Sequence, residues 1–485
     1  MGVVRKQALQ NTVITYIGFF IAAINTLFLY TRFLTDEYYG LVTVILSTSA
    51  ILMPLLAFGV PNTLVKYYSG FESTPYSDGF LTLMVLLPLV LILPLAAISS
   101  VVQDFLEAFL SQKNTLAKGY FWYIFLIGMA MAYFEVFYAW AKVRMKSIFG
   151  NFLKEVFNRV GVMVLLFMVY SEVISVNVFL KALVGLYLLR TILMKLYAYA
   201  LHWPRWSFKF PKEWPRIVNY STLIILGGSA AVIILEIDKF MINQFVRIEN
   251  VAYYGVAVYI ATTIIVPSRS MHQITYPLTA ELLTKKDSTG LKTLYQKSSL
   301  TLFIGSGFLF LLILFNLNDL FLLLPETYRH GFTIVFFVGM AKVYDSLLGN
   351  NNSILYNSEY YRTLLLMGLA LAGLIVLFNL WLIPNYGING AAFGTFSAIC
   401  IYNTGKLWFV KQKFGIQPFT GETVKVGILI LITAAIFYFL QFPFHPILNI
   451  VLRTFFMTIF YVGILYRFKI SEDIFGILSK IFKSD

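Results

Sequence analysis

One apolar run of about twenty residues follows another along this chain, and that repetition constrains its fold more than any other feature. Roughly 20 apolar residues are what a helix needs to cross a hydrocarbon core. Lipid offers no partner for backbone N–H and C=O groups, so a crossing segment is a helix or part of a closed barrel. These solid runs lack the in-out alternation of barrel strands. Of 485 residues, 59% are hydrophobic and only 12% charged, and the mean hydropathy is +0.78. Polar surface is therefore too scarce for a soluble globule. The expected fold is all-α, a polytopic membrane protein.

Charged or turn-forming breaks place spans near 11–33, 40–66, 80–102, 119–141, 149–170, 178–200, 217–244, 251–276, 296–316, 332–352, 361–383, 387–410, 423–441 and 446–466, fourteen in all. Arg5 and Lys6 precede the first, which has no small-residue cleavage site and is expected to be retained. With a cytoplasmic N-terminus, inside segments hold 25 of the 37 Lys and Arg residues and outside loops five. The inside set includes Lys142, Lys154, Lys406, Lys480 and Lys483. Seven more fall within spans: Arg159, Lys181, Arg190, Lys239, Arg269, Lys342 and Arg453. This bias satisfies the positive-inside rule, puts both termini in the cytoplasm, and explains a net charge of +14 by topology rather than nucleic-acid binding. One cysteine, Cys400, excludes an internal disulfide, and four scattered histidines argue against a metal site. No nucleotide-binding Gly-rich loop is present, so ATP hydrolysis is not expected.

The basic connector from Lys195 to Arg216 carries Trp203, Trp206, Trp214, Pro204, Pro211 and Pro215, a mixture suited to lying on the cytoplasmic leaflet. It separates two halves that share landmarks. Tyr38-Tyr39-Gly40 and Tyr253-Tyr254-Gly255 lie 215 residues apart, Pro54 and Pro267 213, and Pro61 and Pro277 216. Two six-helix repeats in the same orientation are expected, over 1–200 and 217–414, with 201–216 between them and an extra helix pair and tail over 415–485. Proline removes a helix hydrogen bond and kinks the axis, so Pro54, Pro267 and Pro277 are either hinges or static bends.

Several stretches resemble one family. Leu235 to Ala257 resembles the seventh-span pattern of Wzx-type polysaccharide flippases, members of the multidrug, oligosaccharidyl-lipid and polysaccharide exporter superfamily. Arg32-Phe-Leu-Thr-Asp-Glu-Tyr-Tyr-Gly40 is similar to the family's first loop. Asn385-Tyr-Gly-Ile-Asn-Gly-Ala-Ala-Phe-Gly-Thr395 is similar to the start of its twelfth span, where small residues permit close helix packing. The resemblance implies a flippase of the bacterial inner membrane, not an enzyme, with the helical architecture of the superfamily's drug exporters. It implies movement of a polyprenyl-pyrophosphate-linked oligosaccharide to the outer leaflet by alternating access, as in O-antigen and lipopolysaccharide assembly. Its partners would be that lipid-linked sugar, membrane lipids, and a polysaccharide polymerase and glycosyltransferases. No cofactor is implied beyond a coupling ion, H+ or Na+.

Charge inside an apolar run costs roughly 2.5 to 3.5 kcal/mol on insertion scales, so such residues normally face a partner, a cavity or a ligand. Glu236, Lys239 and Asn243 share a helix face, while Asp238 points about 200° from Glu236. Glu236 with Lys239 reads either as structural glue or as part of a site; Asp238 is the stronger candidate for ion coupling, with Glu236 beside it. Spacing also pairs Arg159 with Glu155 and Lys342 with Asp345. Arg190, Arg269 and Lys181 have no acidic residue at such spacings, and a pyrophosphate would supply their anion. Arg32, Arg190, Lys239 and Arg269 are thus the candidate pyrophosphate-binding cations. Fourth-span aromatics with Glu135 face either sugar or lipid. The last two spans, outside the repeat, are candidates for holding the polyprenyl tail. The rival function is a drug exporter exchanging organic cations against Na+ or H+, which the in-span cations disfavour. A polymerase or acyltransferase needs larger outside loops or a catalytic histidine.

Overall fold

The computed structural model describes residues 2–98, 103, 113–203, 205–440, 442–471 and 475–476. The end of the third expected span (99–102), Pro204, Lys480 and Lys483 lie outside the described residues. Every element among the described residues is helical, and the chain divides into two compact units, Met1–Ala252 and Tyr253–Asp485. The division falls one span later than the 201–216 connector.

In the first unit α1 (Gly2–Ile24) passes through a π-helical turn, Asn25–Leu29, into α2 (Tyr30–Phe33). Thr35 caps α3 (Asp36–Leu56) by accepting the Tyr38 N–H, and Asp36 and Glu37 in the first turn complement the helix dipole. Gly40 is fixed by sterics: a Cβ there would lie 2.1 Å from the Ile248 carbonyl oxygen. That close approach explains the glycine of the Tyr-Tyr-Gly motif in this half. The second expected span is not one helix. After Pro54 the backbone turns left-handed at Phe58 (φ 51) and Gly59 (φ 66) and restarts as α4 (Val60–Phe71). A Cβ at Gly59 would meet the Ser221 carbonyl at 2.3 Å, so this break admits only glycine without strain.

The unit continues through α5 (Ser77–Leu86), α6 (Leu89–Ala97) and α7 (Phe121–Val143). Then α8 (Ile148–Phe152) runs through a second π-turn, Leu153–Phe157, into α9 (Asn158–Tyr170), followed by α10 (Val176–Leu201) and α11 (Trp214–Phe245). α7 packs between α3, α4 and α10, with Trp140, Phe134, Tyr68 and Phe80 in the core. α11 lies along α3 and bends by 55° between Ala230 and Val232, just after Gly227-Gly228-Ser229, the kind of small-residue cluster at which helices kink.

The second unit begins within α12 (Glu249–Thr262), which a 3-10 turn, Thr263–Ile265, joins to α13 (Val266–Thr284). Pro267 sits in the first turn of α13, where its missing N–H costs nothing, and Pro277 lies inside the helix. The 35 residues of α14 (Ser288–Leu322) make a rod of about 52 Å, longer than the roughly 30 Å hydrocarbon core. α15 (Phe332–Leu347) and α16 (Asn351–Tyr356) follow, separated by Gly349 at φ 53. α17 (Tyr361–Phe414) is two helices joined at Gly387 (φ 56, ψ −137). Cβ atoms at Gly390 and Gly394 would touch Leu382 and Phe378, so the halves run antiparallel in close contact. The small residues of 385–395 allow this.

α18 (Gly421–Tyr438) and α19 (Pro446–Arg467) dock on α14. Two buried side chains clamp α19 there. Arg453 Nη1 lies 3.0 Å from Asp319 Oδ2, and Asn449 donates to Asp319 Oδ1 at 3.0 Å.

Ten helices among the described residues are long and apolar enough to cross a membrane, or eleven when the bent α11 counts as a span. The sequence predicts fourteen. Three expected spans are not among the ten or eleven as separate helices: 149–170, which carries Lys154, Glu155 and Arg159, 332–352, where α15 has 16 residues, and one of 361–383 and 387–410, which run as a single element broken at Gly387. Sequence counts Lys406 with a cytoplasmic segment, as an ordinary connector cation. It lies inside the helix 388–414 with 1% exposure, where a carboxylate and an amide compensate its charge.

Candidate substrate and coupling site

In the first unit the buried and half-buried charges Glu135, Glu155, Arg159, Arg190, Glu236 and Lys239 each stand beside an opposite charge, as the cost of bare burial requires. On α11 the i,i+3 spacing brings Lys239 Nζ within 2.6 Å of Glu236 Oε2. Asp238 faces away from that pair and is buried, with 6% exposure. One turn further, Asn243 accepts from Asn114 Nδ2 at 2.7 Å on its carbonyl and 3.1 Å on its side chain. Asn114 also bonds the Val246 carbonyl at 3.0 Å and accepts the Ile248 N–H at 2.9 Å, fastening the end of α11 to the loop after it.

A second charged group is assembled from α7, the π-turn 153–157, α9 and α10. Glu135 Oε1 lies 2.5 Å from Lys154 Nζ, and Arg159 lies 2.9 Å from Glu155 at the expected i,i+4 spacing. Glu135 also faces Lys142 and Arg190 electrostatically. Arg190 has 6% exposure and stacks over Phe134 at 4.2 Å and Tyr187 at 4.8 Å, within electrostatic reach of Glu135 and Glu155. Its Nε has no hydrogen-bond partner among the described residues. Four cations thus surround two carboxylates. π-turns are rare and concentrate at functional sites, and both of this unit's lie here. Lys154 and Glu155 sit on one, while Asn25, which opens the other, donates to the Arg159 carbonyl at 2.8 Å.

A cavity of about 260 Å³ opens beside this group, lined by Glu135, Lys154, Asn62, Pro54, Gly59 and Gly228. The charged pair therefore shares a space with the break in the second span and the bend in α11. The cavity thus has cationic and carboxylate groups in and beside its wall.

The four cations singled out by sequence have different settings. Arg190 and Lys239 stand beside carboxylates in the first unit, Arg32 is exposed in the last turn of α2, and Arg269 is exposed on α13 in the second unit. Lys181 is also exposed. Sequence reasoning missed Lys142, Lys154 and Asn114. The lysines sit near a helix end that the positive-inside count assigned to a loop, and Glu135–Lys154 joins different helices, where no spacing rule applies.

A family model described as polysaccharide biosynthesis protein matches residues 4–283. No curated protein matches in sequence. Among solved structures, the lipid II flippase MurJ in an inward closed conformation is similar in fold, with a TM-score of 0.75 at 12% identity over 96% of this chain and 100% of that one. An inward-facing multidrug resistance MATE family transporter of the MOP superfamily has a TM-score of 0.64 at 14% identity, covering 84% of this chain and 98% of that one. A MOP superfamily transporter from Pyrococcus furiosus has 0.53 at 14%, covering 86% and 93%.

Proposed function

From the premise that this chain belongs to the polysaccharide biosynthesis protein family, we propose that it flips polyprenyl-pyrophosphate-linked oligosaccharides from the cytoplasmic to the outer leaflet of a bacterial inner membrane. The observation that carries this reading is the surplus of positive charge inside the first unit, where Lys142, Lys154, Arg159 and Arg190 outnumber Glu135 and Glu155. A pyrophosphate completes that set. Arginine suits it because a planar guanidinium meets phosphate oxygens through paired, charge-assisted hydrogen bonds. The fold likeness to a lipid II flippase supports a role in flipping a lipid-linked substrate.

In this account Arg190 and Lys239 attract the pyrophosphate, joined by Lys154, with Arg32 at the outer mouth; Arg269, in the second unit, is a further candidate cation. Asp238 and Glu236 couple the cycle to H+ or Na+. Pro54 with the 57–59 break, and Pro267 and Pro277 about the turn 263–265, supply the bends that alternating access needs. Exchange of organic cations is disfavoured, because such a ligand needs an acidic interior.

Export of surface polysaccharide in cells lacking the chromosomal gene tests this. Asp238→Ala combined with Lys239→Ala is expected to abolish export at normal protein level. Full export by that variant overturns the assignment.

A further inference from the structure

The second unit contains a broken helix whose gap is filled by polar side chains. α15 ends at Leu347, the chain turns left-handed at Gly349, and α16 starts at Asn351. A Cβ at Gly349 would lie 2.6 Å from the Ser299 N, so the two segments are pressed against α14. Three consecutive asparagines each engage a different partner. Asn350 Nδ2 donates to Thr279 Oγ1 of α13 at 2.8 Å, and Asn351 Nδ2 donates to the Tyr295 hydroxyl of α14 at 2.6 Å. Asn352 Oδ1 accepts from Lys406 Nζ at 2.9 Å.

Lys406 is the unusual member. Its ammonium is 3.9 Å from Asp345 Oδ1 and 4.3 Å from the Tyr402 ring centroid, on a side chain with 1% exposure. Neither 332–347 nor 388–414 carries an acidic residue besides Asp345. His272 of α13 faces the pair electrostatically. A cation is favoured at the C-terminal end of a helix, and transporters place ions at the unwound ends of discontinuous helices. One turn before Lys406, on the same buried face, Asn403 has 0% exposure and neither amide atom has a hydrogen-bond partner among the described residues.

We propose that Lys406 is a built-in cation, occupying a monovalent-cation site formed by Asp345, Asn352 and Tyr402 at the break between α15 and α16. This unit is then held together by its own ammonium instead of by Na+ or K+. The inference does not depend on what the chain transports.

Thermal unfolding of the purified full-length chain in detergent tests it, in sodium, potassium, propylammonium and choline chlorides at equal ionic strength. The wild type supplies the reference difference between salts, which includes any cation bound elsewhere in the chain. Lys406→Ala is expected to unfold earlier in choline chloride and to recover by about 2 to 4 °C in sodium or propylammonium chloride. Adding Asp345→Asn removes that recovery. Lys342, three residues before Asp345, is the control: Lys342→Ala is expected to show no cation preference beyond the wild type's. Should Lys406→Ala fail to accumulate, Lys406→Gln puts an uncharged amide in place of the ammonium and is expected to show the same sodium-specific recovery. A folded Lys406 variant whose sodium-over-choline difference equals that of the wild type overturns the proposal, as does a sodium recovery that survives Asp345→Asn.

Discussion

Arg190→Ala is expected to slow transport about 10- to 150-fold, with Arg190→Lys recovering only part of the loss. A hydrogen bond to a charged group contributes about 1.5 to 3 kcal/mol, and each 1.4 kcal/mol is about a factor of ten in rate. The guanidinium is held between the Phe134 and Tyr187 rings and faces Glu135 and Glu155, which fixes its plane. Its Nε remains without a partner among the described residues, so a donor is left for an incoming anion. Lysine restores the charge but neither the stacking nor the paired donors. The check is translocation in reconstituted vesicles, normalised to folded protein. Equal rates for wild type and Arg190→Ala would remove Arg190 from the site.

Arg453→Ala is expected to destabilise the fold by about 3 to 5 kcal/mol, the usual cost of stranding one member of a buried ion pair. The stranded group is Asp319, which keeps only the Asn449 amide at 3.0 Å once the guanidinium is gone. Removing both charges, as Arg453→Met with Asp319→Leu, is expected to restore most of the loss, because neither charge is then left bare. Chemical denaturation in detergent reads both variants. A single variant as stable as the wild type would mean that α19 is held by its apolar face alone, through Met457, Tyr461 and Leu465.

Much of the fold is legible along the sequence because crossing a bilayer leaves a local mark, a solid apolar run. The pairs Glu155–Arg159 and Glu236–Lys239 are legible for the same reason: partners three or four residues apart on a helix have no choice of neighbour. The Tyr-Tyr-Gly motif stands out by its recurrence, but the reason for Gly40, the Ile248 carbonyl against it, lies far along the chain. Long-range pairings leave no such mark. Glu135 reaches Lys154 across 19 residues and Arg453 reaches Asp319 across 134. Lys406 looks like a loop cation until Asp345 and Asn352 are seen around it. The break between the eleventh and twelfth expected spans is legible and meets the non-helical Gly387, whereas nothing in the hydropathy marks the left-handed Gly349, after the end of α15.

The central claim is that a cationic interior serves an anionic lipid-linked sugar. Vesicles containing the purified chain, offered a fluorescent polyprenyl-pyrophosphate oligosaccharide or a fluorescent organic cation, test it most directly. The account predicts that the saccharide lipid changes leaflet, that inorganic pyrophosphate competes, and that the organic cation is not moved. Transport of the organic cation with no movement of the saccharide lipid would contradict it.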